Sequence, residues 1–344
     1  MTEKAIYLTE AGVAALVDLN EAIDALHAAL VLEAQSETLN IPKSLGLFGA
    51  GGSLHSLGSA FPGRGLGGFK TWANTGTAGV AMMVVFDLAS AKVVAILEAG
   101  VLGQLRTAAI SGVATRALAA PDAADMALVG TGRQAMMQLA AVAAVRPLQR
   151  VRVFSPTAEK RRAFVDQARK AFPFAVEEGS SVRAVADGAN IVTLVTRARE
   201  PFLDRAMLAS GAHLNAVGAI LPQGAEFAQD VFGAASLICV DSVAGVRENS
   251  SEFRTWLTAD GGRAASIVPL SKVLASGSPP RDGGITLFKA MGMGISDLAV
   301  AQLAIERARQ RGVGMPMPEM ERSSIRWRAL ENAQGSPMGG AQHV

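Results

Sequence analysis

Two basic side chains, Lys70 and Arg106, stand in otherwise uncharged surroundings and could bind a carboxylate. Lys70 ends the strand-like run Gly-Gly-Phe-Lys, and Arg106 lies in Gln-Leu-Arg-Thr-Ala-Ala-Ile, at the start of a predicted apolar helix over 106–120. A cation at a helix N-terminus opposes the helix dipole, so Arg106 should have another role there. An ammonium and a guanidinium that converge on one pocket would hold an α-carboxylate. Taken singly, each residue could equally be an ordinary partner in a surface salt bridge.

A glycine-rich turn further along the chain is typical of a dinucleotide site. The motif Gly-Thr-Gly-Arg-Gln-Ala begins at Gly130, follows an apolar strand over 126–129 and precedes an Ala/Met/Leu-rich helix that ends near residue 145. Gly130 permits the tight turn, Gly132 lets the backbone approach a pyrophosphate, and the small Ala135 allows close helix–strand packing. The alternative is a strand–helix turn that binds nothing. The predicted pyrophosphate-binding residues are Gly130, Thr131, Gly132, Arg133 and Gln134.

The end of the next predicted strand, 150–154, bears on the choice between NAD and NADP. It is followed by Ser155 and Thr157 and by no acid that would bind the ribose diol of NAD, while Lys160 and Arg161 lie one turn into the next helix. Hydroxyl donors and positive charge suit the 2′-phosphate of NADP, which we therefore expect to be preferred, with NAD as the alternative. The basic run could instead be a solvated helix face. The remaining expected cofactor contacts follow the fourth and fifth strands and are Thr196 and Val217.

The elements that must position these residues fall into two patterns. From residue 124 strands alternate with helices, which predicts an α/β fold with a Rossmann-type doubly wound parallel sheet. The predicted strands are 126–129, 150–154, 173–176, 190–195, 213–217 and 236–240, with helices at 133–145 and 158–171. Before them come two helices, 9–18 and 19–33, and a glycine-rich region that contains a hairpin over 80–97.

We therefore expect two domains. Residues 121–289 would form the NAD(P)-binding Rossmann domain, and residues 1–120 together with 290–344 a discontinuous α+β domain for substrate binding and dimerisation. A helix over 297–310 has no sheet of its own and should return to pack on the N-terminal part. Residues 279–284 are interpreted as a linker and 335–344 as a frayed tail.

Composition excludes several classes of function. The chain has 344 residues and a net charge of +2, with no basic run interleaved with aromatics, so nucleic-acid binding is not indicated. Its apolar stretches are too short to span a membrane and no signal-peptide pattern is present, so we expect a cytoplasmic protein. The single cysteine, Cys239, excludes an internal disulfide, and the four scattered histidines give no metal site. Of these histidines, only His55, in a polar loop before Lys70, is a candidate substrate-binding residue.

Together these motifs resemble the ornithine cyclodeaminase/mu-crystallin family, from about residue 10 to 310. The resemblance implies NAD(P)-dependent chemistry on a small amino acid or its cyclic or linear imine, in a homodimer, with Lys70 and Arg106 binding the carboxylate. It is carried by Lys70, Asp87 in a Phe-Asp-Leu turn, Arg106-Thr-Ala-Ala, Gly130-Thr-Gly-Arg-Gln, Asn215-Ala-Val-Gly, Ile285-Thr-Leu-Phe-Lys and Ser296-Asp-Leu-Ala.

One departure from the family pattern narrows the expected reaction. Cyclodeaminases and a related alanine dehydrogenase carry an Asp, their proposed acid/base, where this chain has Ile220 in Gly-Ala-Ile-Leu-Pro. An aliphatic side chain cannot deprotonate a substrate ammonium, and loss of a general base costs on the order of 10²- to 10⁴-fold in rate. Reduction of a protonated imine needs less from the protein, and family members without this Asp resemble ketimine or Δ1-pyrroline-2-carboxylate reductases.

We therefore expect NAD(P)H-dependent reduction of an α-imino acid to the L-amino acid. The proton donor stays open between Lys70, His55 and water. One alternative is a cyclodeaminase or alanine dehydrogenase-type enzyme that uses another base, such as Glu226. The other is a mu-crystallin-like protein that binds NADP and a small ligand, with incidental turnover.

Overall fold

Two β-sheets provide the framework of the molecule. The computed structural model describes residues 4–49, 51–259, 266–277, 282–320 and 323–325, and within these residues one sheet has seven strands and the other eight. The strands of the first sheet are β1 (Ile6–Leu8), β2 (Leu39–Phe48), β3 (Gly52–Phe61), β4 (Leu66–Asn74), β5 (Gly79–Asp87), β6 (Val93–Glu98) and β15 (Met315–Pro316). Their order is β15-β1-β6-β5-β4-β3-β2.

The register of the first sheet directs Lys70 inward. β3, β4 and β5 pair antiparallel, and Lys70 lies in one row with Leu57 and Met83, both of which are buried. Because successive side chains of a strand point to opposite faces, the neighbouring Phe69 faces outward, and it is exposed. The ammonium therefore enters the interior among apolar side chains.

α1 (Glu10–Leu16), α3 (Gly100–Leu118) and α11 (Gly294–Arg311) pack against the inner side of this sheet, and α2 (Leu19–Ala34) packs against α3 and α11. A capping box between Asp18 and Glu21 fixes the start of α2. The last helix, α11, packs against α2, α3 and β3. Its Arg307 pairs with Glu21, and the Gly294 N–H at its start donates to Asn40 Oδ1 at 2.9 Å.

The second sheet is parallel throughout its described strands and confirms the predicted Rossmann-type fold. Its strands are β7 (Asp125–Val129), β8 (Arg150–Phe154), β9 (Ala175–Glu178), β10 (Ile191–Leu194), β11 (His213–Ala216), β12 (Ala235–Val240), β13 (Ile267–Pro269) and β14 (Ile285–Lys289). The order is β9-β8-β7-β10-β11-β14-β12-β13. The strand order reverses between β7 and β10, and open α/β sheets bind ligands beyond the carboxyl ends of the strands at such a point.

The helices that accompany the second sheet lie between its strands in the chain. The helix that follows β7 matters most for the site, because it begins at the end of the glycine turn. They are α4 (Ala135–Ala143), α5 (Ala158–Ala171), α6 (Val182–Ala186), α7 (Asp230–Ala234), α8 (Val243–Asn249), α9 (Ser251–Ala259) and α10 (Leu270–Ser276). Among the described residues, no helix is long and apolar enough to cross a membrane.

The predicted start of the helix at Arg106 is wrong. α3 begins at Gly100, so Arg106 lies in its second turn and the helix-dipole argument was wrong. The start escaped notice because Ala99 provides no side-chain cap and Gly100 and Gly103 do not favour helix. Two strands that the sequence analysis did not place, β13 and β14, complete the parallel sheet. Residues 279–281 of the expected linker and the expected tail, 335–344, lie outside the described residues, and the domain division stays a prediction.

Candidate active site

A cleft of about 940 Å³ lies across the carboxyl ends of the parallel strands and extends to the first sheet. The glycine turn after β7 lines one end, and β4 and α3 line the other. Its lining therefore brings together the two groups of residues that were predicted separately from the sequence. Those that line it are Lys70, Arg106, Gly130, Thr131, Gly132, Arg133, Gln134, Ser155, Lys160, Thr196, Val217 and Ile220, and Trp72 and Gly292 line it as well.

The glycine turn has the geometry of a pyrophosphate cradle. Gly130 has φ of 114°, and a Cβ there would lie 2.5 Å from the carbonyl oxygen of Val195, so only glycine fits. A Cβ on Gly132 would meet no atom within 4 Å and would point into open space. α4 begins after Gln134 without a side-chain cap. The Ala135 N–H at its start donates to the Gly132 carbonyl at 3.0 Å, so an anion would be bound by the other N–H groups of the turn and of the first helical turn. These residues fit the pyrophosphate of a dinucleotide.

At the predicted adenosine end, the residues singled out in the sequence have different surroundings. Ser155 lines the cleft and its Oγ accepts from Thr131 Oγ1 at 3.0 Å. Arg161 instead donates to the Ser155 carbonyl at 2.6 Å, pairs with Glu178 at 3.2 Å and covers the Phe154 ring, so it supports the loop from behind. The exposed Thr157, which precedes α5, is not among the lining residues. Lys160, which directly precedes Arg161 on α5, does line the cleft.

At the predicted nicotinamide end, a buried carboxylate ties two strand ends together. Thr196 follows β10, Val217 and Gly218 follow β11, and all three line the cleft. Glu226 is fully buried and accepts four hydrogen bonds of 2.8–3.0 Å, from Thr196 N and Oγ1 and from the backbone N–H groups of Gly218 and Ala219. Glu226, which the sequence analysis weighed as an alternative base, is not among the lining residues and holds these loops in place.

At the predicted substrate end, lined by β4 and α3, two cations share one carboxylate oxygen. Lys70 Nζ, on β4, lies 2.6 Å from Asp297 Oδ1, and Arg106 Nε, on α3, lies 3.3 Å from the same oxygen. Lys70 and Asp297 are buried. Burial, followed by the neighbouring Arg106 guanidinium, lowers the pKa of Lys70 to about 8, against the opposing attraction of Asp297. Lys70 is thus still predominantly an ammonium at neutral pH.

Two further charged residues surround Arg106, and the sequence analysis missed both. Lys43, on β2, is half-buried, and burial together with Arg106 lowers its pKa. Asp241, just after β12, accepts from the backbone N–H groups of Met291 and Gly292, each at 2.8 Å. This holds Gly292 so close to Arg106 that a Cβ there would lie 3.0 Å from Nη1. No local motif marks Lys43 or Asp241, because their proximity to Arg106 depends on the pairing of distant strands.

His55 lies behind the substrate end of the cleft. Its ring stacks on Trp72, with centroids 4.5 Å apart and planes 5° apart, and Trp72 in turn has Lys70 Nζ 5.0 Å from its ring. His55 is buried, which lowers its pKa, and it is not among the lining residues. The structure therefore places His55 as a support for Trp72.

Comparisons with known proteins agree with this architecture. The family model of the ornithine cyclodeaminase/mu-crystallin family matches residues 3–312. The chain belongs to this family. The resemblance drawn from the motifs is thereby confirmed.

Members of the family with reductase names are among its relatives. The chain is 30% identical over 236 residues to a Δ1-pyrroline-2-carboxylate reductase of Bacillus cereus, which covers 68% of this chain and 72% of that protein. It is 27% identical over 226 residues to the ketimine reductase mu-crystallin of Mus musculus, over 66% of this chain and 69% of that protein.

A solved structure supports the fold. Δ1-pyrroline-2-carboxylate reductase of Thermococcus litoralis, in complex with NADH and L-proline, superposes with a TM-score of 0.85 at 24% identity, covering 91% of this chain and all of that one. Among the described residues of our chain, no group of three His, Cys, Asp or Glu side chains could hold a metal ion.

Proposed function

We propose that this protein reduces an α-imino acid, cyclic or linear, to the corresponding L-amino acid with NAD(P)H. The observation that carries the proposal is the continuous cleft from the glycine turn to the two cations, the buried Lys70 and the partly exposed Arg106. A dinucleotide that lies with its pyrophosphate at Gly130 extends along the cleft toward Thr196 and Val217 and then toward the two cations. The names of the relatives from Bacillus cereus and Mus musculus support the same class of reaction.

In this proposal the cations bind the substrate carboxylate. Arg106 offers a planar fork of N–H donors at the cleft wall, and Lys70 offers a point charge beside it. Lys43 adds a third positive charge nearby, and Asp297 contacts both clamp residues. Burial raises the pKa of Asp241, which weakens its opposition to these cations, so the surroundings of Arg106 favour an anion.

The remaining groups place the reacting bond. When bound, the reduced nicotinamide supplies the hydride. Arg106 and Lys70 orient the C=N carbon of the substrate by fixing its carboxylate, which removes much of the entropic barrier to transfer. Because a protonated imine already carries the proton on its nitrogen, hydride transfer to its carbon gives the amine directly, and Lys70 can keep its charge and its hold on the carboxylate. His55 does not line the cleft.

The lining of the cleft argues against deamination of diamino acids. Among the described residues that line it there is no Asp or Glu. A distal substrate ammonium would have no carboxylate to pair with, and Ile220 offers no base for the α-ammonium. A protonated imine, in contrast, needs only a clamped carboxylate and an aligned hydride donor.

A substrate panel tests this function. We expect NAD(P)H oxidation with Δ1-pyrroline-2-carboxylate, Δ1-piperideine-2-carboxylate or iminosuccinate as substrate. We also test linear imines formed from pyruvate or glyoxylate and an amine. The comparison is ammonia release with NAD(P)H formation from ornithine, lysine or alanine. Faster deamination than imine reduction would overturn the proposal. Tight NADPH binding with no turnover of any imine would favour the mu-crystallin-like binding protein.

We further propose that NADPH is the preferred cofactor. Ser155 and Lys160 line the adenosine end, the exposed Arg133 lies beside the glycine turn, and no carboxylate lines this end among the described residues. A 2′-phosphate would therefore meet a hydroxyl and positive charge. Fluorescence titration with both reduced cofactors checks this, and tighter binding of NADH would contradict it.

The outer face of the first sheet supports a homodimer. Leu54, Phe69 and Val80 are exposed on the face of β3, β4 and β5 that points away from the cleft. Contiguous apolar surface of this kind marks an interaction site. We propose that a second copy covers it. Sedimentation equilibrium of Phe69→Glu should show dissociation relative to the wild type, and a monomeric wild type would refute the assignment.

A further inference from the structure

Asp297 has an unusual position relative to the cleft. It is completely buried in the first turns of α11, and it is not among the lining residues. Lys70 and Arg106, which do line the cleft, lie between Asp297 and the substrate space. A group in this position cannot touch the substrate directly, so any influence must pass through the two cations.

We infer that Asp297 is a positioning residue, whose Oδ1 oxygen holds Lys70 Nζ and Arg106 Nε convergent on one substrate carboxylate and offsets their charges. The inference rests on the proposed function of this site. The two contacts, 2.6 Å and 3.3 Å, come from different elements and meet at the same atom. Lys70 Nζ donates a hydrogen bond to Oδ1, whereas Arg106 Nε makes an ion-pair contact with it. Asp297 Oδ2 and Arg106 Nε are buried and have no hydrogen-bond partner among the described residues, so no other protein group competes for these two atoms.

The charges that face Lys70 decide what Asp297 contributes. Arg106 and Lys43 both repel its ammonium, and burial penalises the charged form further. Asp297 is the carboxylate that opposes these effects, and the Trp72 ring lies 5.0 Å away. Without Asp297, Lys70 would lose its proton more easily and the carboxylate site would lose positive charge.

The sign of the pH effect follows from this arrangement. Lys70 carries its charge below a pKa of about 8 and loses it as the pH rises through that value. Binding of a carboxylate should therefore weaken on the alkaline side. Removal of an opposite charge at contact distance shifts a pKa by about 1–3 units. We call the pH range in which carboxylate binding weakens on the alkaline side the alkaline limb of the binding profile. In Asp297→Asn this limb should move to lower pH by at least about one unit.

The test measures binding and does not depend on turnover. Pyrrole-2-carboxylate, a planar carboxylate of the size of the five-membered cyclic imine, is titrated calorimetrically into the NADPH-loaded protein between pH 6 and 10. These limits bracket the pKa of about 8. We expect the alkaline limb of wild type to shift in Asp297→Asn and in the smaller Asp297→Ser. Imine reduction is followed in parallel.

A second background isolates Lys70. In Lys70→Arg the guanidinium stays charged over this range, so the limb should disappear and Asp297→Asn should cause no further shift. Asp125→Asn is the matched control, because Asp125 pairs with Arg150 and Arg152 at the opposite end of the second sheet. It should lower the melting temperature without moving the limb.

Each outcome decides the inference. An unmoved limb in the Asp297 variants, even with a lowered melting temperature, would reduce Asp297 to a structural role and overturn it. If neither Asp297 variant folds, a limb that persists in Lys70→Arg overturns it equally. A wild type that binds the carboxylate with the expected limb but reduces no imine would refute the proposed function and leave the role of Asp297 standing.

Discussion

The two ends of the cleft are built in opposite ways. At the glycine turn, the groups that we propose to face the ligand are backbone N–H groups within 131–134, contiguous in sequence. At the proposed substrate end, they are charged side chains from β4 and α3, and Lys70 and its partner Asp297 are 227 positions apart. One end depends on backbone conformation, and the other on the balance of buried charges.

This difference separates two kinds of sensitivity. A side-chain substitution at the glycine turn matters mainly when it distorts the backbone. At the substrate end, removal of one charge leaves its partners buried and uncompensated, which is strongly unfavourable. We therefore expect charge-removing changes near Arg106 to affect substrate and backbone changes near Gly130 to affect cofactor.

The largest effect should come from Arg106→Ala. It removes the bidentate donor and leaves Asp297 facing Lys70 alone, so kcat/KM for the imine should fall on the order of 10³-fold. Affinity for NADPH should not change. Steady-state kinetics and cofactor titration measure the two, with Arg116→Ala, on the same helix and paired with Asp24, as control. Equal losses in both variants would break the comparison.

Gly130→Ala should act on the other end. Its φ of 114° and the 2.5 Å approach to Val195 force the turn to shift, and we expect the NADPH dissociation constant to rise on the order of 10²-fold. Gly233→Ala, where a Cβ meets nothing within 4 Å, is the control. The turn would not be the pyrophosphate site if the dissociation constant stayed the same.

Glu226→Gln distinguishes between two roles of Glu226, that of a hydrogen-bond acceptor that holds two loops in place and that of a general base. An amide replaces one of the two acceptor oxygens with a donor, so hydrogen bonds to the two strand ends are lost and kcat should fall about tenfold. The shape of the pH–rate profile should remain that of wild type. A general base would instead cost on the order of 10²- to 10⁴-fold, with loss of a pH limb. That result would restore the deaminating alternative.

The smallest effect should come from Lys160→Ala. The exposed ammonium contributes one screened charge, so KM for NADPH should rise about five- to tenfold with KM for NADH unchanged. Arg162→Ala, on the same helix and outside the lining, is the control. Equal changes for both cofactors would show that the 2′-phosphate does not lie there.

Local patterns accounted for much of the fold and for one end of the site. The alternating elements after residue 124 predicted the parallel sheet, and the strand–turn–helix motif placed Gly130 at its carboxyl edge, because short-range sterics fix such units. The start of α3 was missed, since helix boundaries without caps carry little signal. The internal hydrogen bonds and ion pairs that occupy the Arg161 and Glu226 side chains could likewise not be predicted from their local sequence.

The sequence by itself determined which chemical groups are present, namely a glycine turn, a lysine and an arginine without local counter-ions, and an isoleucine where the cyclodeaminase pattern has an aspartate. The tertiary structure alone decided which charges meet. Asp297, Lys43 and Asp241 reach Lys70 and Arg106 through strand pairing and through the return of α11 onto the first sheet. Electrostatic interactions depend on distance in space and on burial, and neither follows from separation along the chain.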